Sequence, residues 1–448
     1  MLGLKVTRSM NAPLLRDLND RARQGNPVRI GIVGTGYFGS GIVGRAERIP
    51  GLQPVVAANR TLEKAVAALR SAGVSAADIT LAEEPSAAEA ALLAGQRVVT
   101  SNLALPAQVS AVDVVMETTG DVAVGARVAA DAIAHGKHLV AANPETQATV
   151  GPLLKALADE AGVVYSDVDG DEPGILTDLV RYARGIGFPP VLAGNCKGVL
   201  KRYATPATQA EFATAHGLQP WIATAAADGT KLNCEMAVVA NATGMPPASP
   251  GMTGVATSLE TAVADLDRAG LLSQGPIVEY VFGIPNGVFV IFRADNEPAF
   301  QRDFEYLKMG RGPHYLLHRP HVLVHYTAPL SAAAAALYGC ATVAPAGAPV
   351  AEVIAYTKRP LPAGTSLDGI GGFDCYGLVH RRDQAAGLLP IGLSRGATLL
   401  ADLPQDAPIP LTGVDLSDVD PILLDLRRRQ EGLFEMGTLP ARGIAAAR

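Results

Sequence analysis

Three glycines in the run Gly34-Thr-Gly36-Tyr-Phe-Gly39 follow an apolar stretch and precede a helix-compatible one, the context in which G-x-G-x-x-G binds a dinucleotide. There Gly34 makes the tight turn, Gly36 lets the backbone approach a pyrophosphate, and Gly39 lets helix and strand pack closely. Thr35, Tyr37 and Phe38 complete the loop, and the N-terminus of the following helix favours an anion. About 20 residues on, where NAD enzymes place a carboxylate against the ribose 2′-hydroxyl, stands Asn59-Arg60-Thr61. An arginine there suits a 2′-phosphate through charge-assisted hydrogen bonds, so NADP(H) is the expected cofactor. Lys64, a turn later, reads as an ordinary solvated charge. Thr118-Thr119-Gly120-Asp121 and Asn143-Pro144-Glu145 each follow a strand-like run, and ligands of open α/β sheets bind at such strand ends. Thr118, Thr119, Gly120 and Asn143 are therefore expected beside the nicotinamide.

Hydride transfer to a carbonyl needs a proton donor, groups that orient the substrate and an anchor for any anionic handle. Three clusters offer them. Asp167, Asp169, Asp171 and Glu172 place four carboxylates in six positions, which repel one another unless a cation or basic side chains face them. Asp169, Asp171 and Glu172 would suit Mg²⁺ or Mn²⁺, or pairing with lysine; a solvated acidic turn before a helix is the other reading. The second cluster is Lys197 with Lys201 and Arg202, where a strand over 190–194 would deliver Lys197 to a cleft as acid or base. The third is His314, His318, His321 and His325, with Arg319 among them. Pro320 interrupts any helix through these histidines, so they cannot share a helical face as zinc ligands. Phosphate recognition by Arg319 and a neighbouring histidine stays as open as metal binding.

These groups need a scaffold. Strands are expected at 28–33, 54–58, 113–117, 138–142 and 162–166, separated by alanine-rich helices, the alternation of a parallel α/β sheet. Before it, Leu14, Leu15 and Leu18 give 13–24 one apolar helical face, with Asn11 as cap and Gly25 as stop. The small-residue, proline-rich stretch 341–349 reads as a linker. Residues 350–415 are dense in turns and read as a small β module, and 421–435 as a closing helix. The resulting division is a helical arm at 1–27, a dinucleotide domain at 28–165, a substrate and dimerisation domain at 166–340 and a β module with its helix at 341–448.

The chain has 448 residues, and about 150 per domain suggests roughly three domains. Its 48% apolar and 18% charged residues exclude disorder as the dominant state. A formal charge of -6 gives no field for nucleic acid. Four scattered cysteines form no C-x-x-C pair, so no disulfide framework is indicated. No run of 18 apolar residues suggests a membrane span, and Lys5, Arg8, Arg16, Asp17 and Asp20 interrupt any signal-peptide core. A cytoplasmic protein without nucleic-acid or membrane partners is expected.

Together the glycine loop, His135-Gly-Lys-His-Leu-Val140, Gly170-Asp-Glu-Pro173, Glu235-Met with Asn241-Ala-Thr-Gly244, Lys308-Met-Gly-Arg-Gly-Pro313 and His318-Arg-Pro320 resemble the 1-deoxy-D-xylulose-5-phosphate reductoisomerase-like proteins. These look like homoserine dehydrogenases with a C-terminal SAF domain, a β-clip, which Lys358-Arg-Pro-Leu-Pro-Ala-Gly364 and Leu393-Ser-Arg-Gly-Ala397 resemble. The resemblance implies a Rossmann doubly wound parallel sheet, an α+β substrate domain and a β-clip module. It also implies an NADPH-dependent reductoisomerase acting on a small phosphorylated keto sugar, assembled as a homodimer or homotetramer.

Carried over by position, Asp171 and Glu172 would orient the substrate, Lys197 would supply acid or base function, and His318 with Arg319 would bind the anionic group. Asp169, Lys201, Arg202, Glu235 and Asn241 would complete the substrate site. The chain departs from the pattern at Gly198-Val-Leu-Lys-Arg-Tyr203, which adds two cations, and at Pro144, where homoserine dehydrogenases carry a lysine. Homoserine chemistry is thereby disfavoured. A plain NADP-dependent dehydrogenase is the alternative, and a non-catalytic dinucleotide sensor a more distant one.

Overall fold

The run Val28–Val33 is apolar enough to be buried on both faces, and it forms the central strand β1 of a parallel sheet. In the computed structural model, which describes residues 12–294 and 298–435, six further strands flank it. They are β2 (Leu52–Ala58), β3 (Ile79–Leu81), β4 (Arg97–Thr100), β5 (Val114–Glu117), β6 (His138–Ala141) and β7 (Tyr165–Asp167). Their order is β3-β4-β2-β1-β5-β6-β7, and every pairing is parallel. From β1 the sheet extends through β5, β6 and β7 on one side and through β2, β4 and then β3 at the edge on the other, so the fold is the expected Rossmann-like doubly wound α/β sheet, with its switch point between β1 and β5.

All five expected strands are present with small differences in extent. β2 starts at Leu52 and runs through Pro54, whose missing N–H coincides with a register shift against Ile30 and Gly31. β7 begins only at Tyr165, because Gly162 adopts φ 69° and turns the chain after the preceding helix. Strands β3 and β4 were not foreseen. They are three and four residues long, too short for a periodicity signal between two alanine-rich helices.

By internal packing the chain forms two compact units, each discontinuous in sequence. One takes the chain up to Asn143 together with Leu154–Ile175 and His321–Ala344; the other takes Pro144–Leu153, Leu176–Pro320 and the chain from Pro345 onward. The first unit contains the parallel sheet. Helix Ala12–Arg23 joins its core through Leu14 and Leu18, while Leu15 is exposed rather than on the shared apolar face. The cap expected at Asn11 lies outside the described residues. Helix Val324–Tyr338 packs there too, because Ala328, Ala332, Ala333 and Ala335 let it lie close to Ile42, Val43 and Val114.

The second unit has a mixed five-stranded sheet built from β8 (Pro190–Lys197), β9 (Val255–Ala256), β10 (Ile277–Phe282), β11 (Val288–Arg293) and β12 (His314–Arg319). Its order is β12-β11-β8-β10-β9, with β10 parallel to β8 and β9, and β11 antiparallel to β8 and β12. Two short antiparallel pairs follow: β13 (Ala351–Thr357) with β14 (Cys375–Arg381), and β15 (Thr398–Leu399) with β16 (Val414–Asp415). The chain then closes in helix Pro421–Leu433.

That last helix is anchored by buried polar groups. Arg427, 2% exposed, pairs with Glu352 and Glu431 and donates to the Thr149 carbonyl. Gln430 donates through Nε2 to the same carbonyl and accepts through Oε1 from the Leu153 N–H at 3.1 Å. Its amide thus brackets the turn of helix Pro144–Glu160 that contains Pro152, where one backbone donor is missing. Among the described residues no helix is long and apolar enough to cross a membrane.

Candidate functional site

The glycine loop has the geometry its spacing demands. Gly34 adopts φ 91°, and a Cβ there would press on Thr118 and Thr119. A Cβ on Gly39 would lie 1.9 Å from the Gly34 carbonyl oxygen and 2.6 Å from Thr118 Oγ1, so helix Tyr37–Ala46 approaches the loop as closely as it does only because Gly39 has none. A Cβ on Gly36 would meet nothing within 4 Å. Gly36 is also the N-cap and offers no side chain to the first N–H groups of that helix. Buried Thr35 keeps Oγ1 without a hydrogen-bond partner among the described residues. An open cradle at Gly36, uncapped amide donors and a buried hydroxyl with unused capacity together fit a bound pyrophosphate.

Asn59, just beyond β2, joins this loop to the position that would read the ribose. Its Oδ1 accepts from the Thr35 N–H at 3.1 Å, its Nδ2 donates to the Thr61 carbonyl at 2.8 Å, and its own N–H donates to the carbonyl of Thr100, the last residue of β4. Arg60 beside it is exposed. Asn59 therefore shapes the glycine loop.

At the ends of β5 and β6 a carboxylate appears that sequence reasoning passed over. Glu117, the last residue of β5, is 1% exposed and hydrogen-bonds both Thr119 and Asn143. Burial raises its pKa above the usual carboxylate value. The available signal was an acid ending an otherwise apolar strand. Thr118 Oγ1 donates to the carbonyls of Val33 and Gly34, tying the β5 loop to the glycine loop.

The acidic turn after β7 is locked by the start of helix Val324–Tyr338. Gly170 adopts φ 84°, and a Cβ there would sit 2.1 Å from Thr327 Oγ1. The Gly170 carbonyl accepts from the Leu323 N–H at 2.9 Å, and the Asp169 N–H donates to Ser331 Oγ at 2.8 Å. Asp171 is buried, Glu172 begins helix Glu172–Gly185, and an oxygen of each lies within 4.8 Å of the other. Paired hard oxygen donors on a fixed turn fit Mg²⁺ or Mn²⁺ chemistry.

The remaining candidates belong to the second unit. Lys197 ends β8, is half-buried, and donates to the Ala226 carbonyl at 2.8 Å. Its neighbour Cys196 has a thiol pushed up to about 12 by burial, which removes it as a nucleophile. Lys201 is exposed, whereas Arg202 stacks 5.0 Å above the Tyr376 ring. Glu235 is buried on helix Thr230–Thr243, pairs with Lys231, and accepts from Asn195 at 3.5 Å. On the same helix Asn241 accepts through Oδ1 from the N–H groups of Val350 and Ala351 and donates to the Ala351 carbonyl, so its amide secures the entry to β13.

The histidine-rich stretch divides by element. His314 and His318 lie on β12, His321 follows in irregular chain, and His325 is in helix Val324–Tyr338. His318 Nε2 lies 3.2 Å from the Asn286 carbonyl, and Arg319 is 3.5 Å from Asp178. His325 instead belongs beside the glycine loop, with its ring 5.6 Å from Tyr37 and 5.7 Å from Phe38. That placement had no signal in sequence, because the partners stand far apart along the chain.

Part of the chain matches a known family model. Residues 170–327 match the family model described as oxidoreductase DRL, catalytic domain, which agrees with the expected enzyme class. No curated protein matches. Among solved structures, 1-deoxy-D-xylulose 5-phosphate reductoisomerase from Zymomonas mobilis in complex with NADPH is 14% identical, covering 68% of this chain and 70% of its own at a TM-score of 0.39. Aldose-aldose oxidoreductase from Caulobacter crescentus, complexed with glycerol, is 15% identical, covering 71% of this chain and 92% of its own at a TM-score of 0.39.

Proposed function

We propose that the protein is an NADP(H)-dependent oxidoreductase of the reductoisomerase type, acting on a small keto-sugar phosphate such as 1-deoxy-D-xylulose 5-phosphate. The observation that carries this reading is the contrast between Gly36 and Gly39: open space where a pyrophosphate would lie, and backbone contact where helix must meet loop. The match of residues 170–327 to an oxidoreductase catalytic domain supports the enzyme class. Gly34 to Gly39 would hold the pyrophosphate, Arg60 the 2′-phosphate, and Thr118, Thr119, Gly120 and Asn143 the nicotinamide end. When bound, the cofactor supplies a hydride.

The protein's own groups do the rest. Asp169, Asp171 and Glu172 orient the substrate hydroxyls and would hold a divalent cation if one is used. Lys197 moves a proton at the carbonyl oxygen from Nζ. Lys201, Arg202, His318 and Arg319 attract the anionic handle, and Glu235, paired with Lys231 one turn earlier on its own helix, contributes to the substrate site. In the reductoisomerase reaction a carbon skeleton rearranges to an aldehyde, which is then reduced to a branched polyol phosphate. The test is NADPH oxidation against a panel of phosphorylated and unphosphorylated keto sugars, with and without Mg²⁺. Turnover confined to phosphorylated members is expected; turnover of unphosphorylated members alone would overturn the substrate class.

A further inference from the structure

The loops after β5 and β6 are joined by one side chain that the proposed mechanism does not use. Glu117 Oε1 accepts from the Thr119 N–H at 2.6 Å and from the Thr119 hydroxyl. Its Oε2 accepts from Asn143 Nδ2 at 2.9 Å, and the same Nδ2 donates to the Asp121 carbonyl at 3.2 Å. Glu117 and Asn143 are both buried. Two of these partners are N–H groups that can only donate, and the Thr119 hydroxyl can donate as well, so the ionised carboxylate satisfies all three. Holding a buried carboxylate in this form costs desolvation, which the three bonds offset in part.

The sheet order gives this knot a place. β5 and β6 lie on the opposite side of β1 from β2. A dinucleotide laid over the glycine loop with its adenosine ribose at Arg60 therefore directs its other half toward the ends of β5 and β6. We propose that Glu117 is a positioning residue that fixes Thr119 and Asn143 in the arrangement receiving the nicotinamide end of the cofactor. The inference rests on the dinucleotide reading of the loop above.

The amide of Glu117→Gln can still accept from Thr119 through its oxygen, but it sets an NH₂ against the NH₂ of Asn143. Asn143 must then turn and give up Asp121. The experiment compares NADPH with 2′-phospho-ADP-ribose, which lacks the nicotinamide, by titration against wild type and variant. The expected result is affinity for NADPH weakened about tenfold or more with that for 2′-phospho-ADP-ribose held within about twofold, the loss of a hydrogen bond to a charged group. Equal weakening of both ligands, the mark of a general structural role, overturns the proposal, and so does no change in either. Wild-type protein that binds neither ligand overturns the dinucleotide reading itself, a result seen without any variant. If Glu117→Gln does not fold, Glu117→Asp keeps the charge but shortens the reach; the same selective loss is expected, and equal losses overturn the proposal.

Discussion

Gly39 and Gly34 are in backbone contact: a methyl group on the first would stand 1.9 Å from the carbonyl oxygen of the second, while one on Gly36 would meet no atom within 4 Å. The two positions should therefore fail differently. Gly39→Ala is expected to destabilise the folded protein by about 1–3 kcal/mol, as overpacking does, and to weaken NADPH binding as well. Gly36→Ala should leave the melting temperature unchanged and abolish NADPH binding. Thermal melts with fluorescence titrations check both, and a stable Gly36→Ala variant with wild-type affinity would remove the pyrophosphate from this loop.

Arg60 should set the choice between the two nicotinamide cofactors. A hydrogen bond to a charged group contributes about 1.5–3 kcal/mol. Arg60→Ala should therefore lower the preference for NADPH over NADH by about tenfold to a hundredfold, with NADH affinity unchanged. Parallel titrations with the two cofactors check the ratio.

Stability should fall in acid, in part because of His380. This residue is buried, its Nε2 lies 3.1 Å from the Tyr356 hydroxyl, and its Nδ1 has no hydrogen-bond partner among the described residues. Burial holds its pKa below the ordinary 6.5, against the opposing pull of Glu352. The unfolded chain takes up a proton near 6.5 and the folded one only at lower pH, so this contribution is complete above 6.5 and is lost as pH falls through the folded value. Urea unfolding at several pH values should show a shallower acid loss for His380→Gln than for wild type. Some slope should remain, because burial also lowers His138, His314 and His325.

Removing the amide of Gln430 should loosen the helix it brackets. Gln430→Leu takes away the acceptor for the Leu153 N–H and one donor to the Thr149 carbonyl. The expected cost is about 1–3 kcal/mol for a buried backbone group that loses its partner. Denaturant unfolding measures it, and hydrogen exchange at Leu153 should rise.

How much of this was legible in sequence varies with the range of the contact. The glycine loop announced itself because its function is written in local spacing, and the sheet because five apolar runs alternate with alanine-rich helices. β3 and β4 were missed for shortness. Glu117 and His325 were missed because their meaning lies in partners brought by other elements: Asn143 from the loop after β6, and Tyr37 from the helix that follows the glycine loop. Asn241 reads as a candidate ligand in sequence, yet its amide holds the backbone of Val350 and Ala351, a use no spacing within its own helix reveals.

The central claim is hydride transfer from a nicotinamide to a sugar phosphate, and isotope transfer tests it most directly. NADPH deuterated at the transferable position is incubated with the protein, Mg²⁺ and 1-deoxy-D-xylulose 5-phosphate, and the products are read by mass spectrometry. The expected result is a polyol phosphate carrying the deuterium lost from the cofactor. Protein that binds NADPH with high affinity yet leaves every sugar phosphate in the panel unlabelled would contradict it.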